Sequence, residues 1–171
     1  MKLLPPFLSQ WLKSRSKDNA MRVPIANFGI VTASLFRGAL PDAAGYRSLA
    51  SHGIYRVVNL IDGNRFEDRA KALTNGIEDW LHIEMRDDAP PSDRAIQLAL
   101  EAMRQPGAVY IHCLGGRHRT GLVIACYRLA ECGFTKEQAW AEAKRYGFYS
   151  FPNHGGLEKW FFEEFNAADF K

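Results

Sequence analysis

Residues 108–130 read "AVYIHCLGGRHRTGLVIACYRLA", and how this stretch is parsed decides the fold. Residues 107–113, "GAVYIHC", are a short apolar run behind Pro106, which predicts a buried strand. Residues 120–132, "TGLVIACYRLAEC", are apolar, helix-length and followed by Gly133, which predicts a helix with a defined stop. The joint between them, Leu114 to Arg119, needs only a turn and an N-cap. It carries two glycines together with Arg117, His118 and Arg119, beside His112 and Cys113.

Working outward, 28–38 reads as one strand or a hairpin. A helix over 41–53 has Pro41 at its start and Gly53 past its end. A β-branched strand follows at 54–61, then a helix over 65–76 and a strand over 77–85. "DDAPPSD" (87–93) is a loop, since its prolines cannot continue a strand, and Ser92 or Asp93 caps a helix over 94–105. Thr135 and Gln138 form a capping box for a helix stopped by Gly147, and a last helix spans 156–168 around "WFFEEF". Strands alternating with helices predict an α/β single domain with a central, mainly parallel sheet flanked by helices. Ligands in such sheets sit beyond the carboxyl ends of the strands, where the joint falls.

The bulk properties are those of an ordinary globular chain of 171 residues, 24% charged, with formal charge +3. No Lys/Arg-rich run is present, so nucleic acid is not an expected partner. No stretch reaches the ~18 apolar residues of a membrane span. Cys113, Cys126 and Cys132 lack metal or disulfide spacing, and His52, His82 and His154 are scattered. Neither metal nor cofactor is expected; Cys126 is assigned to the core. A free thiol suits a reducing, cytoplasmic setting over a periplasmic or secreted one. Residues 1–20 read as an N-terminal arm with an amphipathic set of Leu4, Leu8, Trp11 and Leu12. Adjacent prolines and the lack of a small-residue cleavage site argue against a signal peptide.

The joint has the chemistry of an anion site built around a thiol. A loop entering a helix points several N–H groups at one spot, and the helix dipole adds positive potential. Gly115 and Gly116 let the loop curl into a nest whose rim is Leu114, Gly115, Gly116, Arg117, His118 and Arg119. No acid lies between His112 and Gly121. Arg119 offers a planar fork that grips two phosphate oxygens. Dipoles that hold a phosphate also stabilise a Cys113 thiolate. His112 is placed to hold the surrounding backbone, and Thr120 to donate its hydroxyl to the sulfur as it leaves. Together these residues suit a two-step transfer through a cysteinyl-phosphate.

"HCLGGRHRTG" (112–121) resembles the signature of the cysteine-dependent protein tyrosine and dual-specificity phosphatases: His-Cys, five residues, Arg, then Ser or Thr. The resemblance implies a general acid on an upstream loop, and "MRDDAPPSD" (85–93) matches the Asp-x-x-Pro-Pro pattern of the compact members at Asp87, with Asp88 the adjacent alternative. "LFRGALPD" (35–42) followed by "LASHGIYRVVNLI" (49–61) is similar to the opening of those members, so 21–171 is expected to be the catalytic domain. Arg37 is expected to serve structure by bridging to a carboxylate. No late glutamine matches the water-positioning residue of larger tyrosine phosphatases; "FYSFPNHGG" stands in that region.

For substrate, the resemblance implies a phosphotyrosine-containing protein first. An inositol polyphosphate or pyrophosphate comes second, because Arg117 and His118 add cationic or polar groups and "HRTG" resembles the plant and fungal atypical group. A catalytically silent phospho-binding module and a rhodanese-like sulfur transferase are the readings from other classes. Cys113, Arg119 and an acid candidate argue against the first, and Arg-Thr-Gly with Asp-x-x-Pro-Pro against the second.

Overall fold

A computed structural model of the chain describes residues 22–150 and 152–170; the N-terminal arm and its amphipathic set lie outside the described residues. The strands are β1 (Gly29–Ile30), β2 (Leu35–Gly38), β3 (Arg56–Ile61), β4 (Asp79–Met85) and β5 (Val109–His112). The helices are α1 (Ala43–Ser51), α2 (Phe66–Thr74), α3 (Asp93–Arg104), α4 (His118–Glu131), α5 (Lys136–Arg145) and α6 (Gly155–Glu163), with a 3-10 turn at Ala167–Phe170. The sheet order is β1-β2-β5-β3-β4. β1 pairs antiparallel with β2, which makes residues 28–38 a hairpin; the other pairs are parallel. The α/β class with a mainly parallel sheet is the one the alternating pattern predicts.

Side-chain alternation along the strands divides the core in two. Phe36, Val57 and Tyr110 face the helices α1 and α2 with Tyr46, Leu49 and Ala72. Leu35, Val58 and Ile111 face the other way, onto α3 to α6 with Leu100, Val123 and Phe161. α4 is buried almost all round, with Leu122 to Cys126 at most 2% exposed, as an apolar helix at the centre of a layer must be. Its one buried ion pair, among the described residues, is Arg128 with both carboxylate oxygens of Glu142 (2.7 and 2.9 Å).

Three boundaries are set by local contacts. α4 begins at His118, two residues before the expected start, and Arg117 provides no side-chain cap. α3 is capped by Ser92, whose Oγ accepts from Ala95 N at 3.2 Å, which decides between Ser92 and Asp93. The expected C-terminal helix stops at Glu163. Lys136 Nζ donates to the Phe162 and Phe165 carbonyls (2.9 and 2.7 Å), and Asn166 Oδ1 accepts from Ala168 N to start the 3-10 turn.

Candidate active site

The carboxyl edge of three neighbouring strands supplies the site. Cys113 directly follows β5, Asp62 directly follows β3, and the turn after β4 carries Asp87. Asp87 and Cys113 border one hollow of about 220 Å³, lined also by Leu114, Gly115, Arg117, His118, Arg119 and Tyr149. Cys113 is a free thiol, 3% exposed.

The loop's polarity follows from where its carbonyls go. The Cys113 carbonyl accepts from His112 Nδ1 (3.2 Å), the Leu114 carbonyl from Leu40 N (3.1 Å), and the Gly116 carbonyl from Arg37 Nη2 (2.7 Å) and Asn27 Nδ2 (2.9 Å). A trans peptide sets each following N–H opposite its carbonyl. The amides of Leu114, Gly115 and Arg117 therefore point away from those partners. The first amides of α4 have no intrahelical acceptor, and no side chain caps them. The result is a ring of donors at a helix N-terminus, which suits a tetrahedral anion.

Gly116 makes that geometry accessible. Its φ is +67°, and a Cβ there would lie 2.6 Å from Gly38 O and 2.7 Å from Ala39 N. Gly115 meets no such constraint, its nearest neighbours being Arg117 side-chain carbons at 3.9 Å.

Arg119 is 5% exposed and enters the hollow from the first turn of α4. Its Nη1 donates to Asp62 Oδ1 (2.6 Å) and to the Met85 carbonyl (3.1 Å), while Nη2 lies 4.0 Å from Asp87 Oδ2. Its Nε is buried with no partner. That hydrogen bond from Arg119 holds the Asp62 carboxyl below its ordinary range. Asp87 and Asp62 are each about half exposed (51%). Asp88 turns outward onto Arg86, at 2.8 Å.

The remaining predicted residues are placed as follows. His112 is fully buried and stacked on Tyr110 (centroids 5.7 Å), and burial pushes its imidazole down to about 4. The ring is neutral and its Nδ1–H is the donor to Cys113 O. The Thr120 hydroxyl is buried and without a partner. Arg117 is exposed at the mouth. His118, read as a charged or polar rim group, turns inward: it is 9% exposed, stacked on His154 at 3.6 Å, and burial brings it to about 4. It lines the hollow as a neutral ring.

Arg37 serves structure, but through a carbonyl and not the expected carboxylate. Its guanidinium sits 4.0 Å over the Tyr146 ring and holds Gly116 O; the nearby acid Glu142 is taken by Arg128. Asp62, Asn27 and His154 were not singled out from sequence. Asp62 was within reach of the rule that located Cys113, since it is the first residue beyond a parallel strand. A bulge between Asn59 and Ile61, where Asn59 Oδ1 accepts from Ile61 N, re-aims the chain just before it. Asn27 is a non-glycine at φ +55° that ties Gly116 O to Tyr146 O (2.9 Å each), and nothing local in "IANFG" signals it.

Comparison with known proteins agrees with this geometry. The family model described as the tyrosine phosphatase family matches residues 22–171. The dual specificity protein phosphatase TpbA of Pseudomonas aeruginosa is 32% identical over 128 residues, covering 73% of this chain; the chain covers 56% of that relative's length. A crystal structure of P. aeruginosa TpbA, in a cysteine-to-serine form in complex with pTyr, superposes with TM-score 0.69 at 25% identity, covering 84% of this chain and 87% of that one. The core catalytic domain of the PP-IP phosphatase SIW14 from S. cerevisiae has TM-score 0.72 at 23% identity, covering 86% and 90%. That likeness speaks for the fold.

Proposed function

The chain is a member of the tyrosine phosphatase family, and we propose that it hydrolyses phosphate monoesters through a cysteinyl-phosphate, with a phosphotyrosine-bearing protein as substrate. The observation that carries this is the convergence of loop amides, the uncapped start of α4 and the Arg119 guanidinium on the hollow that holds Cys113.

In the first step the Cys113 thiolate attacks phosphorus in line. The S–P bond forms, the ester O–P bond breaks, and Asp87 gives its proton to the departing oxygen. Loop amides and Arg119 take the equatorial oxygens, where charge is spread in the transition state. In the second step the Asp87 carboxylate removes a proton from water, water oxygen bonds phosphorus, and the S–P bond breaks. The Thr120 hydroxyl donates a hydrogen bond to the departing sulfur and stabilises it as the thiolate, which gives its buried, unpartnered oxygen a use. Of the two acids in the turn, Asp87 is favoured because it borders the hollow while Asp88 is paired outside it.

The rim favours an aromatic ester over a substrate bearing many phosphates. Leu114 and Tyr149 are 63% and 47% exposed beside the hollow and offer an apolar wall to a phenyl ring. One carboxylate, Asp87, lines the hollow, and a second, Asp62, already holds the Arg119 guanidinium that a phosphate would grip. Arg117 adds a cation at the mouth, and that keeps an inositol phosphate as the second reading. Three free thiols suit a reducing compartment such as the cytoplasm. Among the described residues no helix is long and apolar enough to cross a membrane.

The test is phosphate release from phosphotyrosine peptides, phosphoserine peptides and inositol phosphates. Vanadate-sensitive turnover with the phosphotyrosine peptides as best substrates, lost in Cys113→Ser, is expected. Undiminished turnover in Cys113→Ser would remove the thiol from the mechanism.

A further inference from the structure

His154 takes no part in the steps above, yet it is 6% exposed and bound to their machinery. Its Nδ1–H donates to the Asp87 carbonyl at 2.5 Å. Its ring lies flat on that of His118, with centroids 3.6 Å apart and 20° between planes. His118 opens α4 and directly precedes Arg119. Tyr149 stands edge-on to both His118 and His154 (4.2 and 5.3 Å), and Phe148 is edge-on to His118 (5.1 Å). The segment bearing His154 is anchored in its turn. His154 N donates to Ser150 O (2.7 Å), the Ser150 hydroxyl bonds Glu158, and Glu158 accepts Trp140 Nε1 (2.8 Å).

A turn such as 86–92 has no ladder hydrogen bonds of its own, and Pro90 and Pro91 have no N–H to give. The height of the Asp87 carboxyl above the hollow then depends on what grips its backbone. A side chain 67 positions away in sequence provides that grip. We infer that His154 is a positioning residue: through its bond to the Asp87 carbonyl and its stack on His118, it docks the acid loop against the first turn of α4 and so delivers the Asp87 carboxyl to the leaving oxygen. The inference rests on the phosphoryl-transfer reading given above. Two imidazoles at this separation pack well only while at least one is neutral, and burial keeps His118 so at physiological pH.

The experiment compares two esters that differ in their need for a general acid: a phosphotyrosine peptide, whose leaving group is basic, and difluoromethylumbelliferyl phosphate, whose leaving group is not. His154→Ala is expected to lower kcat/KM on the peptide, which reports the first step alone, about 100-fold, the low end of what a positioned acid contributes. On the activated ester kcat/KM should stay within about 3-fold, while kcat, limited there by the second step in which Asp87 is the base, falls. Asp87→Asn should give the same pattern. His154→Asn places an amide N–H near the position of Nδ1–H and should recover most of the peptide rate, whereas His154→Gln, which mimics Nε2, should not. Equal losses of kcat/KM on both esters, no loss on either, or rescue by Gln as good as by Asn would overturn the positioning role. Should His154→Ala fail to fold, the Asn and Gln variants carry the test by themselves. A wild-type protein inactive on both esters would overturn the hydrolase reading, and this role with it.

Discussion

Replacing Gly116 by alanine, with Gly115→Ala as its partner, tests the loop geometry directly. Gly116 sits at φ +67°, where a side chain costs about 1–2 kcal/mol. The added methyl would also press on the backbone of Gly38 and Ala39, 2.6 Å from an oxygen and 2.7 Å from a nitrogen. Backbone cannot rotate aside as a side-chain end does, so the loop must lift. Lifting strains the buried bond from Arg37 Nη2 to Gly116 O; a hydrogen bond from a charged donor is worth about 1.5–3 kcal/mol. The sum is about 2.5–5 kcal/mol, which at 2–4 °C per kcal/mol for a domain of this size lowers Tm by roughly 5–20 °C. In the folded fraction, a displacement near 1 Å should lower kcat about 100-fold. Gly115→Ala adds its methyl 3.9 Å from flexible Arg117 carbons, without a positive φ. It should change stability by less than about 0.5 kcal/mol. Thermal unfolding and aryl-phosphate turnover read both variants. Equal Tm and turnover for the two alanine variants would refute the claim that Gly116, and not glycine content as such, sets the loop.

Two further outcomes follow from buried groups. His112 falls from an ordinary 6.5 to about 4 on folding because burial disfavours the imidazolium. Between those values the unfolded chain binds a proton that the folded one refuses, so stability falls as pH drops from about 6.5 toward 4. The loss reaches on the order of 3 kcal/mol. Urea unfolding at pH 7 and pH 4.5 should show a shallower pH dependence in His112→Asn, and an unchanged dependence would sink the assignment. Arg128→Met should cost about 3–5 kcal/mol by leaving the Glu142 carboxylate buried without its bidentate partner. Adding Glu142→Leu should recover most of that in chemical denaturation, and an additive loss would show that packing, not charge, holds the pair.

What the sequence disclosed was whatever local chemistry encodes. The strand at β5, the stop at Gly133, the capping box at Thr135 and the cysteine–arginine loop all rest on neighbours within a dozen residues, and each was legible. Tertiary partners were not. Arg37 was expected on a carboxylate because an arginine's usual buried partner is one, yet the acid nearby was already claimed by Arg128 on α4. The start of α4 was placed late because glycines and arginines read as loop. In the fold His118 and Arg119 border the hollow while already helical. His154 was dismissed as scattered, since nothing in "FPNHGG" indicates that its ring meets His118, 36 residues upstream.

In the proposed mechanism, the pairing of Arg119 with Asp62 bears on which anion the hollow takes. A guanidinium only 5% exposed must have its charge compensated, and Asp62 with the Met85 carbonyl does this at Nη1. The compensating carboxylate is itself half in solvent, so it is a modest competitor, screened by water. An anion that reaches only Arg119 has to displace Asp62 and gains little. A phosphate dianion also collects the loop amides and the N-terminus of α4, contacts Asp62 cannot make from the end of β3. On the proposed mechanism, selectivity for a tetrahedral, doubly charged group would come from the difference between one bond that is replaced and several that are new. That difference exists because β5, β3 and β4 end side by side.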